Sequence, residues 1–169
     1  MITPEARPEI PAGWYKKEIA SIHAGIIMPR HWFYRDTSTP FRQLSFLITK
    51  TDKPDLFEPE LVIKVFPCMG KRVGYDAAKL ALLRMENYLA AFKPIENMHE
   101  ESQEGPFIIN QRLFRSGGYL WERNVRIVAN TKTGTLYEFD LSAPVDRNLE
   151  TVRETALTMM GRAELDPTY

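Results

Sequence analysis

The 169-residue chain carries 22 Lys and Arg against 22 Asp and Glu, with 44% hydrophobic and 26% charged residues. Balanced charge gives no field to hold a nucleic-acid backbone, and no apolar run of roughly 18 residues exists to span a membrane, so neither nucleic acid nor a bilayer is an expected partner. A single cysteine, Cys68, cannot form an internal disulfide and points to no oxidising compartment; the cytoplasm is the expected location, with removal of a leader left open.

Residues 1–13 hold Pro4, Pro8 and Pro11 and no apolar core, which predicts a flexible N-terminal segment ahead of a single α+β domain over 14–163. Over 18–28 the chain alternates. Ala20, Ile22, Ala24, Ile26 and Met28 share one face, a period-two pattern that predicts one strand ended by Pro29. Trp32-Phe33-Tyr34 reads as a short strand, and residues 43–49 and Glu60–Phe66 as β-branched and aromatic strands bounded by turn residues. The period then changes. Ala77, Leu80, Ala81, Met85, Tyr88, Leu89 and Phe92 form a helical stripe over 74–92, with Asp76 in the dipole-favoured first turn and Lys93-Pro94 as the stop. Residues 94–106, rich in Glu and nearly without apolar anchors, are expected to be a mobile acidic loop.

Residues 107–141 read as a three-strand meander, with Gly117-Gly118 as a tight turn and 130–134 as a longer loop. A second helix is predicted over 146–160, with Leu149, Val152, Ala156 and Met159 as its stripe and Gly161 as its cap. Turn lengths fix strand pairing. The first turn sets Phe114 opposite Trp121, Arg112 opposite Arg123 and Ile108 opposite Ile127. The second sets Val125 opposite Phe139, Ile127 opposite Tyr137 and Arg126 opposite Glu138. Phe114, Trp121, Val125, Phe139, Ile108, Ile127 and Tyr137 then share one apolar face for the helices to cover. The expected architecture is an antiparallel sheet of six or seven strands with helices packed on it.

Arg112 and Arg123 are the misfit, because directly opposed like charges on an apolar face require a compensating group. A local carboxylate, or exposure of the arginine heads at the sheet edge, is one reading. The other is an anion site flanked by Phe114 and Trp121, since guanidinium forks bind carboxylates bidentately. Little else suggests chemistry. His23, His31 and His99 are scattered and no cysteines pair, so no metal and no cofactor are expected. Cys68 follows a strand with no base evident beside it, and no G-x-S-x-G elbow occurs. Gly70-Lys71-Arg72-Val73-Gly74 lacks the spacing of a phosphate loop.

The order β-β-β-β-α-β-β-β-α, together with Ile26-Ile27-Met28-Pro29-Arg30-His31-Trp32 and the closing meander with its C-terminal helix, is similar to the PsbP-like superfamily. These are α/β/α sandwiches that include the photosystem II extrinsic protein PsbP, a Ran-binding nuclear transport factor and adaptor-chaperones of bacterial secretion systems. The resemblance implies a binding or assembly role rather than an enzyme, and it carries over no catalytic residues.

The expected function is therefore a non-enzymatic protein-binding or adaptor domain whose partner is another protein, with homodimerisation through a strand edge as a further expectation. The alternative is a small-molecule carrier or enzyme that holds a carboxylate ligand between the sheet and the 74–92 helix, using Arg112 and Arg123 beside Trp121 and Phe114.

Overall fold

The computed structural model describes residues 9–40, 44–55, 57–91, 96–102, 107–116 and 118–169, with 88–91, 96–102 and 107–116 traced by their backbone alone. Most of the segment expected over 1–13 lies outside the described residues. The elements in chain order are β1 (Trp14–Ile19), β2 (Ala24–Pro29), β3 (Phe33–Asp36), β4 (Leu44–Thr49), β5 (Glu60–Phe66), α1 (Met69–Val73), α2 (Ala77–Ala91), β6 (Glu96–Ser102), β7 (Phe107–Ser116), β8 (Tyr119–Ala129), β9 (Leu136–Pro144), α3 (Leu149–Gly161) and β10 (Glu164–Leu165).

Seven strands form an antiparallel sheet in the order β3-β4-β5-β9-β8-β7-β6, and β1-β2-β10 form a separate three-stranded sheet. The fold is α+β, as expected, with the additional small sheet. On one face of the large sheet, Ala77, Leu80, Ala81 and Met85 of α2 pack on Val125, Ile127, Ala129 and Leu136. On the other, Val152, Ala156, Met159 and Met160 of α3 close with β2 over Phe46, Ile48, Leu61, Ile63, Tyr137 and Phe139. β9 is the strand that both layers share. Every residue from Leu136 to Leu141 is buried, whichever face it points to.

Several expectations need correction. The alternation over 18–28 is not one strand: a 3₁₀ turn over Ala20–Ile22 and a left-handed His23 (φ 51°) break it into β1 and β2, which fold back on each other. Within the expected acidic loop, Glu96–Ser102 is strand β6, an edge strand paired with β7; 94, 95 and 103–106 lie outside the described residues. The helix expected over 74–92 begins at Ala77, after the separate short α1. The domain also runs past 163, because β10 pairs with β2.

The hairpin registers divide. Phe114 opposite Trp121, Arg112 opposite Arg123 and Ile108 opposite Ile127 all hold. The second register is off by one: Val125 lies opposite Asp140, Ile127 opposite Glu138, and Phe139 opposite Arg126. The cause is the loop. Asn130 N donates to Thr135 O at 2.8 Å, so the loop extends one residue beyond 130–134. One residue of slip moves a whole strand to the other face. Tyr137 and Phe139 therefore face α3, while Trp121, Val125 and Ile127 face α2.

Candidate functional site

The corrected register puts charge into the centre of the sheet. Glu138, fully buried, points to the α2 side, where Arg84 grips it with Nε to Oε1 at 2.5 Å and Nη2 to Oε2 at 2.9 Å. On the opposite side Glu122, 1% exposed, is held by Arg153 of α3 through Nε at 2.5 Å and Nη2 at 2.6 Å. That carboxylate holds the Arg153 guanidinium above its usual range. Nearby, Arg126 Nη1 donates to Met160 O at 2.6 Å, placing a cation against the last carbonyls of α3.

Arg123 and Arg112 do lie opposite each other. Arg123 is buried, and its fork is occupied by Asp140 of β9: Nε donates to Oδ1 at 2.8 Å and Nη2 to Oδ2. Trp121 is half-buried on the same face, across from Pro144. Arg112 and Phe114 belong to these two rows by backbone register, and their side chains lie outside the described residues. The four residues singled out from sequence are thus neighbours at one end of the α2-side face. Asp140 is the member that sequence reasoning missed, because the mistaken register turned it outward.

That face continues across β9 and β5, where Arg84 of α2 reaches Glu138 and the Phe66 ring, onto β4 and β3. By register, Phe33 and Arg35 of β3, Ser45 and Leu47 of β4, and Glu60, Val62 and Lys64 of β5 share it with Asp140 and Glu138. Phe33 is 40% exposed, and Leu47 and Val62 are half-buried. Arg35 reaches Asp52 at 3.2 Å. Burial pushes the Glu60 carboxyl up from its ordinary value. The result is an open surface with an apolar strip, Phe33–Leu47–Val62, between charged neighbours.

A second feature lies on the α3 side, where the chain after α3 straps across the β8–β9 loop. Asp166 N donates to His23 O at 3.0 Å, Asn130 Nδ2 to Pro167 O at 2.9 Å, and Thr133 Oγ1 to Tyr169 O at 2.5 Å. The Tyr169 ring stacks on His23 with centroids 4.0 Å apart. Asp166 accepts from Thr168 N and Oγ1 at 2.8 and 2.6 Å, and its Oδ2 is 3.6 Å from His23 Nδ1. Thr168 foremost, then His23, holds the Asp166 carboxyl below its usual range. Beneath the strap lies an open cavity of about 280 Å³, walled by Val128, Tyr137, Leu165 and Pro167. No sequence signal marked it, since its two halves are far apart in the chain.

No protein-family model matches the chain, and no curated protein matches it by sequence. Solved structures do match. The Ran-binding protein Mog1p of Saccharomyces cerevisiae is 11% identical and superposes with a TM-score of 0.59 over 90% of this chain and 95% of its own. LpqN of Mycobacterium tuberculosis, involved in cell envelope biogenesis, is 15% identical with a TM-score of 0.61 over 85% and 83%. The cyanobacterial PsbP of Synechocystis is 16% identical with a TM-score of 0.59 over 92% and 94%. The chain has the PsbP-like fold that the element order suggested.

Proposed function

We propose that this chain is a protein-binding or adaptor domain that engages a different protein through the open α2-side face of β3, β4 and β5. The observation that carries the reading is the partly exposed Phe33–Leu47–Val62 strip, bordered by Arg35, Glu60 and Lys64. An apolar centre inside a charged rim is the anatomy of an interface between folded proteins. A lipid surface would call for a basic border, and here the border carries both signs. The likeness to Mog1p, a Ran-binding protein, supports the class of function, and no particular partner follows from it.

A photo-crosslinking residue placed at Leu47 in the host cell tests the reading, with one at exposed Leu157 on α3 as the control. The expected result is one discrete adduct from position 47 only. Excess unlabelled protein competes it away, and excess Phe33→Glu protein does not. Equal labelling from both positions, or an adduct of two copies of this chain, overturns the proposal.

A further inference from the structure

We infer that the protein partner proposed above docks by adding an extended segment to the free edge of β3, with a basic residue opposite Asp36, an acidic one opposite Tyr34 and an apolar one opposite Phe33. The inference rests on the open-face reading and names how that face is met. β3 ends the large sheet, with β4 on one side and no described strand on the other. Thr37 fixes its hydrogen-bond phase: it continues the β3–β4 register and donates N–H to Ser45 O at 2.8 Å. Bonded and non-bonded pairs alternate along an antiparallel ladder. Phe33 and Arg35 therefore spend their backbone groups on β4, and the N–H and C=O of Tyr34 and Asp36 point to the free edge. Among the described residues nothing else bonds those groups. An extended chain is the ligand whose own backbone matches that row.

The two edges of the sheet are built differently. β6, at the other end, carries Glu96, Glu100 and Glu101 and a register shift between Asn97 and His99. Charge and bulges keep stray strands off an edge. β3 pairs without a shift and opens with Phe33 and Tyr34. Phe33 is 40% exposed on this outermost strand, so a strand added beside it lengthens the Phe33–Leu47–Val62 strip.

The charges along the edge set the side chains of the incoming segment. Asp36 is exposed, and hydrogen bonds from Ser38, side chain first and backbone second, hold its carboxyl below the usual range. A cross-strand neighbour of opposite sign is favoured beside it and one of like sign disfavoured. Two residues away on the same face, Lys17 Nζ lies 5.0 Å from the centroid of the Tyr34 ring, and no described carboxylate pairs with it. An acid opposite Tyr34 meets that ammonium. Phe33 points to the other face and takes an apolar neighbour, while Arg35 already reaches Asp52. Every described pair in this sheet is antiparallel. An added strand that keeps this sense reads, from its N-terminus, base, any residue, acid, apolar.

The probe is an end-blocked peptide, Lys-Val-Glu-Val between two threonines, titrated into the isotope-labelled full chain and followed by amide NMR. In the free chain the Tyr34 and Asp36 amides should exchange quickly and those of Phe33 and Arg35 slowly. The peptide should shift Tyr34 and Asp36 saturably and slow their exchange. N-methylation at its lysine and glutamate, whose amides meet β3, should abolish binding, and N-methylation at its valines should not. Exchanging its lysine and glutamate keeps composition and net charge, and should weaken binding about tenfold by opposing like charges. Asp36→Pro, checked for native melting, closes the edge without taking a ladder bond and leaves the apolar strip in place. It should erase both peptide binding and the adduct formed from position 47. The inference is overturned if Tyr34 and Asp36 are already protected in the free chain, if the peptide shifts nothing or shifts residues elsewhere, or if either N-methylation pattern or the charge exchange makes no difference. A position-47 adduct that survives Asp36→Pro overturns strand addition alone and leaves the open-face reading standing. Absence of that adduct from the parent chain overturns both.

Discussion

Glu122 and Glu138 are buried on opposite faces of the β8–β9 hairpin, and each is gripped through both oxygens by an arginine from a different helix. The two helices are thus tied to one hairpin by separate ionic clasps. Removing one partner of a buried pair leaves the other charge without its counterion, at a cost of about 3–5 kcal/mol. Glu138→Ala should therefore lower the melting temperature sharply and raise amide exchange chiefly in α2. Glu122→Ala should do the same in α3. Exchange that rises equally in both helices for either variant would show that the clasps do not act separately.

Asp140 answers the like-charge problem at Arg123, so its removal should be worse than removal of the pair. Asp140→Ala is expected to cost about 3 kcal/mol or more, because the Arg123 guanidinium stays buried without its carboxylate. Arg123→Met combined with Asp140→Leu should recover most of that loss. Urea denaturation of the two variants decides it: a double variant no more stable than Asp140→Ala means the ion pair contributes packing that hydrocarbon cannot replace.

How far the chain could be read in advance follows from what each segment buries. Glu60–Phe66 is half-covered on one face and buried on the other, and its limits were read correctly because one-sided cover produces alternation. The stripe of α2 was legible for the same reason. β9 is covered on both sides, so Tyr137 and Phe139 looked like the core face while Glu138 and Asp140 looked solvated; only their arginine partners, from α2 and β8, show otherwise. The slip came from a loop whose length is set by side chains: Asn130 Oδ1 caps two amides, and Gly134 takes φ 80°. At 20–23 the alternation was real in sequence, yet a left-handed His23 reverses the chain there, held by stacking on Tyr169 near the far end. Arg112 and Arg123 were legible as neighbours, and the open face beside them was not, because nothing in a sequence states how far a helix extends over a sheet.

Glu60 borders that open face, and burial raises its carboxyl above the ordinary 4.5. A raised folded value favours the protonated form in the folded protein. The associated stability is present below the unfolded pKa and is lost as pH rises through the folded one. At neutral pH the folded protein therefore carries a partly desolvated charge. Glu60→Gln removes that charge at every pH. Its melting temperature should match the parent's near pH 4 and exceed it at pH 7. An advantage of equal size at both pH values would mean that the charge is not its cause.

Tyr34 sets the alkaline limit in the same way. It stacks on Phe46 at 5.9 Å and its phenol is pushed up to about 12, by burial first and by the neighbouring Asp36 second. In the unfolded chain the phenol ionises near pH 10. Between these values the unfolded state sheds its proton before the folded state does, so stability falls as pH rises from about 10 to about 12. Burial raises Tyr137 as well, which steepens the same limb. Tyr34→Phe cannot ionise. Its melting temperature should follow the parent's at neutral pH and decline less above pH 10, with one tyrosinate fewer appearing late in an absorbance titration. Parallel decline of the two proteins through that range would place the alkaline loss elsewhere.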